Sequence, residues 1–586
     1  MTAATAVAGR SARPRADPWG LAARAALPLA LLLWLLSLRH VDLDRMGDLG
    51  LLQVLPALYW VSVAVLTTGF VVALYLRGVG TAWLAGYVLA LIAVIHATPA
   101  LLYSTLRYAW AWKHIAVVDA MLRHGGSVPN AGLLAIYNQW PGFFVLNGLL
   151  LRATGLHSAL GYAAWTPPVV NALLLGPLLL LYRSVAQERT VVWGAAWIFY
   201  SCSWVGQDYF SPQAFAFLLY VVVIALVFRE LPGACGRPEG AAPPGWTAAR
   251  LVPVLLIEAV IVSSHQLTPL MLLTALAALS LPRANRRVTL PPLLGAVVMV
   301  LVWGATVARS YIAANLKNFG AALLSPDTNA VSGFAGLASA APGQVVVDWT
   351  DRALSAAVLL LAVGCFLKRR WVRRTGLPLI VLSPLPLLAA NSYGGEMLFR
   401  VYLFALPAAA FLSAALVLVP RPRPDLRLFG AYALMLVLLA GLFLSYDSKE
   451  EMNRFTTGEV DAARYVTGTA PVGAVIVTLT DNIPGIYERY EDHSLVQLGQ
   501  QSKASTALLV ADPLSALWES VGGSPPGVPA FLVLTRAQAA ECYLTGLLPA
   551  DTLARLDAAV AQQPGFTAVY RNPDAVVYRF VPVPAR

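Results

Sequence analysis

Charge is what this sequence has least of. Asp, Glu, Lys and Arg make up 12% of its 586 residues, against 58% apolar residues and a mean hydropathy of +0.67. A soluble globular protein carries about twice that charged fraction, so the composition excludes one for most of the chain. Cysteine is scarcer still. Cys202, Cys235, Cys365 and Cys542 show no metal-ligand spacing, and only Cys542 falls in the hydrophilic C-terminal part; an internal disulfide is thereby excluded there. That part also contains no GxGxxG, P-loop or HExxH, patterns that mark nucleotide or zinc chemistry, and no catalysis is assigned to it. The opening "MTAATAVAGRSARPRADPWG" lacks the small-residue cleavage site of a signal peptide. Residues 1–20 are expected to form a disordered basic tail on the cytoplasmic side.

What the chain has in quantity is long apolar runs. Stretches of roughly 17–25 apolar residues, the length that crosses a hydrocarbon core of about 30 Å, recur through the first three quarters. Candidate spans are about 21–38, 51–76, 81–102, 160–182, 190–206, 213–228, 288–308, 353–367, 376–391, 401–420 and 428–445. The segment "LVPVLLIEAVIVSSHQLTPLMLLTALAALSL" (251–281) is broken by "SSHQLTP" and fits two short helices that enter and return. Residues 21–445 are therefore expected to be a mainly α, polytopic transmembrane bundle of about 11 spans plus a broken re-entrant pair.

The net charge of +11 resembles a nucleic-acid signal until its distribution is mapped. With the N-terminus inside, the cytoplasmic pieces are the tail, Arg77, "RSVAQER", 229–250, "PRANRR", "KRRWVRR" and "RPRPDLR". They hold about half of the 41 Lys and Arg but only 5 of the 30 Asp and Glu, whereas residues 446–586 hold 10 basic and 15 acidic residues. This is the positive-inside asymmetry that sets orientation, and no nucleic-acid partner is implied. Parity then places residues 39–50, 103–159, 207–212, 309–352, 392–400 and the C-terminal part outside. His40, His96, His114, His124, His157, His265 and His493 all fall on or near that side. Residues 446–586 alternate stretches such as "GEVDAARYV", "AVIVTL", "AFLVLT" and "AVVYRF", as a small extracytoplasmic α/β domain would.

Within the outer loop 103–159 lies "YAWAWKHIAVVDAMLRHGGSVPNAGLLAIYNQWPGFFVLNGLLL" (108–151), too polar to cross a membrane and too apolar for a solvated loop. Residues 107–124 predict an interfacial helix. Ala111, Ile115, Val118 and Leu122 form its apolar stripe, and Trp110, Trp112, Lys113, His114 and Arg123 surround it, the residue types that anchor at headgroup level. After "HGGSVPN", "AIYNQWPGFFVLNGLLLRATGL" predicts a second such helix.

Here the chain resembles the GT-C superfamily of polytopic membrane glycosyltransferases, such as the protein O-mannosyltransferases and the lipid A aminoarabinose transferases, whose first large outer loop carries two juxtamembrane helices. The residues that carry the resemblance are "RYAWAWKHIAVVDAMLRHGG", "YNQWPGFF" and "RATGL". "WVGQDYFSPQAFAFLLY" and "YGGEMLFRVYLFALPAAAF" are further similar to actinobacterial integral membrane proteins grouped with those transferases, and the Ala/Arg-rich, Lys-poor composition accords with such a source. The likeness is one of layout over most of residues 80–450. It implies a GT-C bundle that moves a sugar from a polyprenyl-phosphate-linked donor, held in membrane lipid, to an envelope glycan or protein acceptor on the outer face. One departure stands out: GT-C enzymes usually place an acidic catalytic residue at the start of that loop, and "YSTLRY" has none. The D-x-D of Asp42 and Asp44 sits in the short preceding loop instead.

Such chemistry needs a carboxylate to take the acceptor hydroxyl proton and cations on the phosphate leaving group. Candidate carboxylates are Asp208 in "GQDYFSPQ", Asp119 and Glu396; candidate donor-phosphate ligands are Arg400, Lys113, His114 and His265. Each has a plainer reading. Asp208 suits a helix cap. Asp119 with Arg123, and Glu396 with Arg400, stand at the i, i+4 spacing of simple ion pairs. Lys113 and His114 suit snorkelling anchors, and Glu258 with His265 suits a hydrogen-bonded structural pair within the membrane. No metal-ligand set is legible, and a divalent metal stays open as a cofactor. Two other function classes compete: a transporter or flippase for envelope lipids, for which interrupted helices in both halves are expected, and a non-catalytic membrane scaffold.

Overall fold

A chain in hydrocarbon must satisfy its backbone N–H and C=O groups internally, so the long apolar runs fold as helices. The computed structural model describes residues 18–235, 245–315, 339–389, 396–418, 426–523 and 527–581. Most of the expected N-terminal tail, and residues 393–395 of the "YGGEMLFR" segment, lie outside them. Among the described residues nine helices are long and apolar enough to cross a membrane: Pro18–His40, Ala57–Tyr75, Thr81–Leu102, Thr166–Val185, Pro212–Glu230, Arg283–Ala305, Pro342–Lys368, Met397–Val417 and Phe429–Tyr446. Met397–Val417 is buried along almost its whole length and forms the centre of the bundle, packed against Pro342–Lys368 and Arg189–Cys202.

Several boundaries differ from the sequence expectation, among them the starts of the spans drawn at 51 and 160, which begin at Ala57 and Thr166. The span drawn at 190–206 is the 14-residue helix Arg189–Cys202, buried from Thr190 onward, so protein rather than lipid surrounds it. The span drawn at 376–391 is a short helix, Leu377–Leu382, followed by a 3-10 turn. The span drawn from 353 begins at Pro342, which carries Asp348 and Asp351 into the helix. The broken segment 251–281 does fold as two helices, Ala248–Ser264 and Thr268–Leu279, with His265 in extended backbone between them.

The connections sort to two ends of the bundle. At the basic end Arg189 donates to the carbonyls of Leu76 and Ala73, and the Cys235 amide donates to the Ser184 carbonyl. At the opposite end the Leu51 amide donates to the Asp447 carbonyl at 3.0 Å, and the Gln344 side chain donates to the carbonyls of Asp48 and Ser448. The described parts of the segments that parity assigns to one side gather at this second end, and the C-terminal domain sits on it.

That domain is built on a five-stranded sheet, β1 (Val475–Thr478), β2 (Ser494–Gln497), β3 (Ala530–Thr535), β4 (Thr567–Arg571) and β5 (Ala575–Phe580), in the order β2-β1-β3-β5-β4. β1 pairs parallel with β2 and β3, while β5 pairs antiparallel with β3 and β4. Period-two alternation sends the two faces to different cores. Ile476, Phe531, Val533 and Val577 join the core of the juxtamembrane helix Ala109–His124, with its Ala111, Trp112, Ile115 and Val118. Val475, Val477, Leu532 and Tyr578 face the domain's own helices. The helix expected to lie on a leaflet is thus clamped between domain and bundle, with Lys113 and His114 buried along with Ala111, Ile115 and Val118 of its apolar stripe. The second juxtamembrane helix, Gly142–Thr154, keeps Val145, Leu146, Leu149 and Leu150 exposed.

Candidate active site at the junction of bundle and domain

A cavity of about 910 Å³ lies between the second end of the bundle and the domain, a volume within the usual span of ligand pockets. The bundle contributes His265, Asp348, Asp351, Glu396, Arg400 and Lys449; the domain contributes Asp481, Asn482 and Glu541; Tyr108, Trp110, His114 and Tyr137 of the juxtamembrane segment lie between. Tyr108 caps the helix Ala109–His124 at φ 68°, a left-handed conformation costing a bulky residue about 1–3 kcal/mol. Its amide donates to the Asn453 carbonyl at 3.1 Å and the Arg107 guanidinium lies 4.5 Å from its ring centroid, contacts that hold the strained turn against the domain.

Of the sequence candidates, four line this cavity. Arg400, in the first turn of Met397–Val417, is buried and donates through Nη2 to Glu396 Oε2 at 2.7 Å, the i, i+4 pair read from the sequence. His265 sits where "SSHQLTP" breaks the helix. Its Nδ1 accepts from the Thr268 amide at 3.2 Å and the Thr268 hydroxyl at 2.8 Å, which places the ring proton on Nε2. His114 donates from Nδ1 to the Phe210 carbonyl at 2.8 Å and accepts at Nε2 from the Tyr137 hydroxyl at 3.0 Å. Burial pushes its pKa down to about 3. It is a neutral, fully bonded ring, so the positive charge expected of it as a phosphate ligand is not there.

Asp208 lies just behind the cavity wall, between Gln207 and Tyr209, which do line it. Its carboxylate accepts from Asn171 Nδ2 at 2.8 Å and from the Tyr446 hydroxyl at 3.1 Å, and meets His96 Nδ1 at 2.9 Å. His96 is carried by a π-helical turn, Ala93–Ala97, within its span, a local widening frequent at functional sites. Tyr446 in turn accepts from Arg107 Nη2 at 2.6 Å, Arg107 Nη1 stands 3.1 Å from Glu450, and Tyr103 donates to Glu450 at 2.8 Å. Burial works against ionisation of Asp208, but His96, Arg107 and Tyr446 outweigh it and hold its carboxyl below the usual range. Asp447 beside them goes the other way: burial first, then Glu450, push its carboxyl well up. The helix-cap role expected of Asp208 belongs to Ser211, whose hydroxyl accepts from the Ala214 amide at 3.1 Å.

The remaining candidates lie elsewhere. Lys113 is buried, bonded to Asp481, with Nζ 3.8 Å from the Trp110 ring centroid; only its partner reaches the cavity. Asp119 meets Ser158 at 3.4 Å, while Arg123 pairs with Glu491 rather than with Asp119. Asp44 pairs with Arg454, and Asp42 accepts from the Asp44 amide. Glu258 is buried against Gly295. Among the described residues no group of three or more His, Cys, Asp or Glu is placed to hold a metal ion. The cavity residues that sequence reasoning passed over are Asp348, Asp351, Lys449, Asp481 and Glu541. One signal for them was available: two acids at i, i+3 opening an apolar run, in "VVVDWTDRALSAAVLLL".

No protein-family profile and no characterised protein matches the chain by sequence. Solved structures do match its shape. The apo oligosaccharyltransferase of Archaeoglobus fulgidus superposes with a TM-score of 0.50 at 12% identity, over 80% of this chain and 71% of that one. The oligosaccharyltransferase AglB of the same archaeon, in complex with an inhibitory peptide and a dolichol-phosphate, gives 0.49 at 13% identity over 87% and 73%. ArnT from Cupriavidus metallidurans bound to undecaprenyl phosphate gives 0.47 at 13% identity over 89% and 98%. The chain is a multi-pass membrane protein with the fold of the Archaeoglobus fulgidus oligosaccharyltransferase, a GT-C fold.

Proposed function

We propose that this chain is a membrane-embedded glycosyltransferase that moves a sugar from a polyprenyl-phosphate-linked donor to a hydroxyl of a cell-envelope acceptor on the outer face. The observation that carries this reading is the cavity where bundle meets domain, with Arg400, Lys449 and His265 toward the bundle and Asp481 and Glu541 toward the domain. A lipid-linked donor approaches from the bundle. Its phosphate suits the Arg400 fork, which binds two oxygens at once, with Lys449 and the His265 Nε2–H beside it to stabilise charge developing on the leaving phosphate. Glu396 sets the direction of Arg400. Asp208 acts through Tyr446, whose hydroxyl it fixes at the cavity wall. A water-side acceptor enters toward the domain.

The test uses the purified full chain in lipid nanodiscs. Undecaprenyl phosphate carrying tritiated mannose, galactose or arabinose is supplied with an envelope extract of the source cells. Label is expected to pass covalently from lipid to acceptor, and Arg400→Ala to slow that transfer at least tenfold. Translocation of the donor across vesicle membranes without covalent transfer supports the flippase reading instead. Absence of transfer from all three donors overturns the proposal.

A further inference from the structure

We propose that Glu541, on the domain helix Arg536–Thr545, is the general base that takes the acceptor proton. The inference rests on the transferase reading above and names the group that the sequence left unassigned. Five carboxylates line the cavity: Asp348, Asp351, Glu396, Asp481 and Glu541. A base must be unencumbered by a cation, because a fixed positive charge stabilises the carboxylate and weakens its pull on a proton. Glu396 is half exposed and bonded to Arg400. Asp481 is bonded to Lys113 and accepts from Gln500 Nε2 at 3.1 Å. Asp351, one turn from Asp348 on Pro342–Lys368, is under the charge of Lys449, a cation that the transferase reading gives to the leaving phosphate.

Asp351 and Glu541 both have a largely buried carboxyl and no ion pair among the described residues; Asp351 stands on the bundle under the Lys449 charge, whereas Glu541 stands on the domain side, where the acceptor enters. Its Oε2 is buried with no hydrogen-bond partner among the described residues, and the Thr480 hydroxyl interacts with the carboxyl. The helix that bears it is fixed in place: Gln538, one turn earlier, accepts from the Leu479 amide at 3.1 Å, and Arg536 donates to Glu451 at 2.7 Å. Burial pushes the Glu541 pKa up to about 7, the poise at which a base is both ionised and avid at neutral pH. The charges facing it are Asp481 and Lys113, with Arg536 on its own helix and Glu450 and Glu451 on the short helix packed against it. In the step itself the acceptor oxygen forms a bond to the anomeric carbon as its proton passes to the Glu541 carboxylate. The anomeric carbon–oxygen bond to phosphate breaks, and its electron pair leaves on the polyprenyl phosphate.

The experiment compares native chain, Glu541→Gln, Glu541→Asp and Arg400→Ala in nanodiscs with the tritiated undecaprenyl-phosphate sugars. Glu541→Gln is expected to lower kcat about 100-fold or more, with the donor KM and the binding of undecaprenyl phosphate unchanged. The acidic limb of the native kcat–pH profile, centred near the Glu541 pKa, is expected to vanish, and Glu541→Asp to restore part of the rate and the limb. A glutamine variant that keeps the native rate and limb while Arg400→Ala has lost transfer overturns this inference and leaves the transferase reading standing. Loss of donor binding together with rate in Glu541→Gln assigns the residue to structure and also overturns it. No transfer by the native chain overturns both.

Discussion

The residues that decide this site are buried charges, and each is tolerable only because of what lies beside it. Arg107 is the clearest case. Its guanidinium bonds Tyr446 and pairs with Glu450, while burial pushes up the carboxyl of Asp447, three residues before Glu450. Removing one partner of such a pair leaves the other unmatched in a dry site, which is costlier than never having had the pair. Asp119 shows the opposite balance. Its carboxyl is pushed up to about 6, chiefly by burial, with Arg123 and Ser158 compensating only in part. A raised folded-state pKa means that the folded chain holds the proton more tightly than the unfolded one. The stability it gives is complete below about pH 4, the ordinary range of Asp, and is lost as pH rises through 6. Asp119→Asn removes the penalty and keeps a partner for Ser158. At pH 8 the variant is expected to be more stable than the native chain by about 1–2 kcal/mol, after discounting for solvent screening. At pH 4 the two are expected to coincide. Denaturation midpoints at both pH values check this, and a variant that is less stable at pH 8 shows that Arg123 holds the carboxylate after all.

At the scale of elements, hydropathy made the spans legible, because lipid imposes one requirement on every residue of a crossing helix. Legibility ended where protein replaces lipid: Arg189–Cys202 is shorter than a free-standing span because it is buried by its neighbours. The start of Pro342–Lys368 was hidden for the same reason, since Asp348 and Asp351 look like loop residues until the cavity that receives them is seen. That helix is tied to the domain at one tight crossing. The Ala341 amide donates to the Leu544 carbonyl at 3.2 Å, and Gly546, at φ +65°, lies so close that a Cβ there would stand 2.3 Å from the Ser339 backbone. Gly473, at φ +86°, has nothing within 4 Å of the same position. Gly473→Ala is therefore expected to cost only the left-handed backbone penalty of about 1–2 kcal/mol. Gly546→Ala adds a backbone clash and is expected to cost more, about 3 kcal/mol in all. Thermal unfolding of the two variants in one detergent isolates the crossing. Equal losses would show that domain and helix are not coupled there.

The whole molecule is a bundle with a basic end and a domain-bearing end, and the site lies wholly at the second. Its layout was readable from charge and apolar length, but its membership was not. Arg107 and Glu450, or Lys113 and Asp481, stand hundreds of residues apart and meet only because one face of the domain sheet shares a core with the juxtamembrane helix. Everything proposed about an outer-face acceptor depends on which end faces out, and the chain carries its own reporters for that. Cys235 is exposed at the basic end, whereas Cys202, Cys365 and Cys542 are buried. Val472, 79% exposed on the domain, accepts a cysteine without disturbing a contact of the core. With Val472→Cys in intact cells, a membrane-impermeant maleimide is expected to label position 472 at once and Cys235 only after permeabilisation, because the positive-inside bias retains the Arg-rich connections in the cytoplasm. The reverse pattern would put the cavity in the cytosol, where a donor presented at the outer leaflet and an envelope acceptor are both out of reach of Arg400 and Glu541.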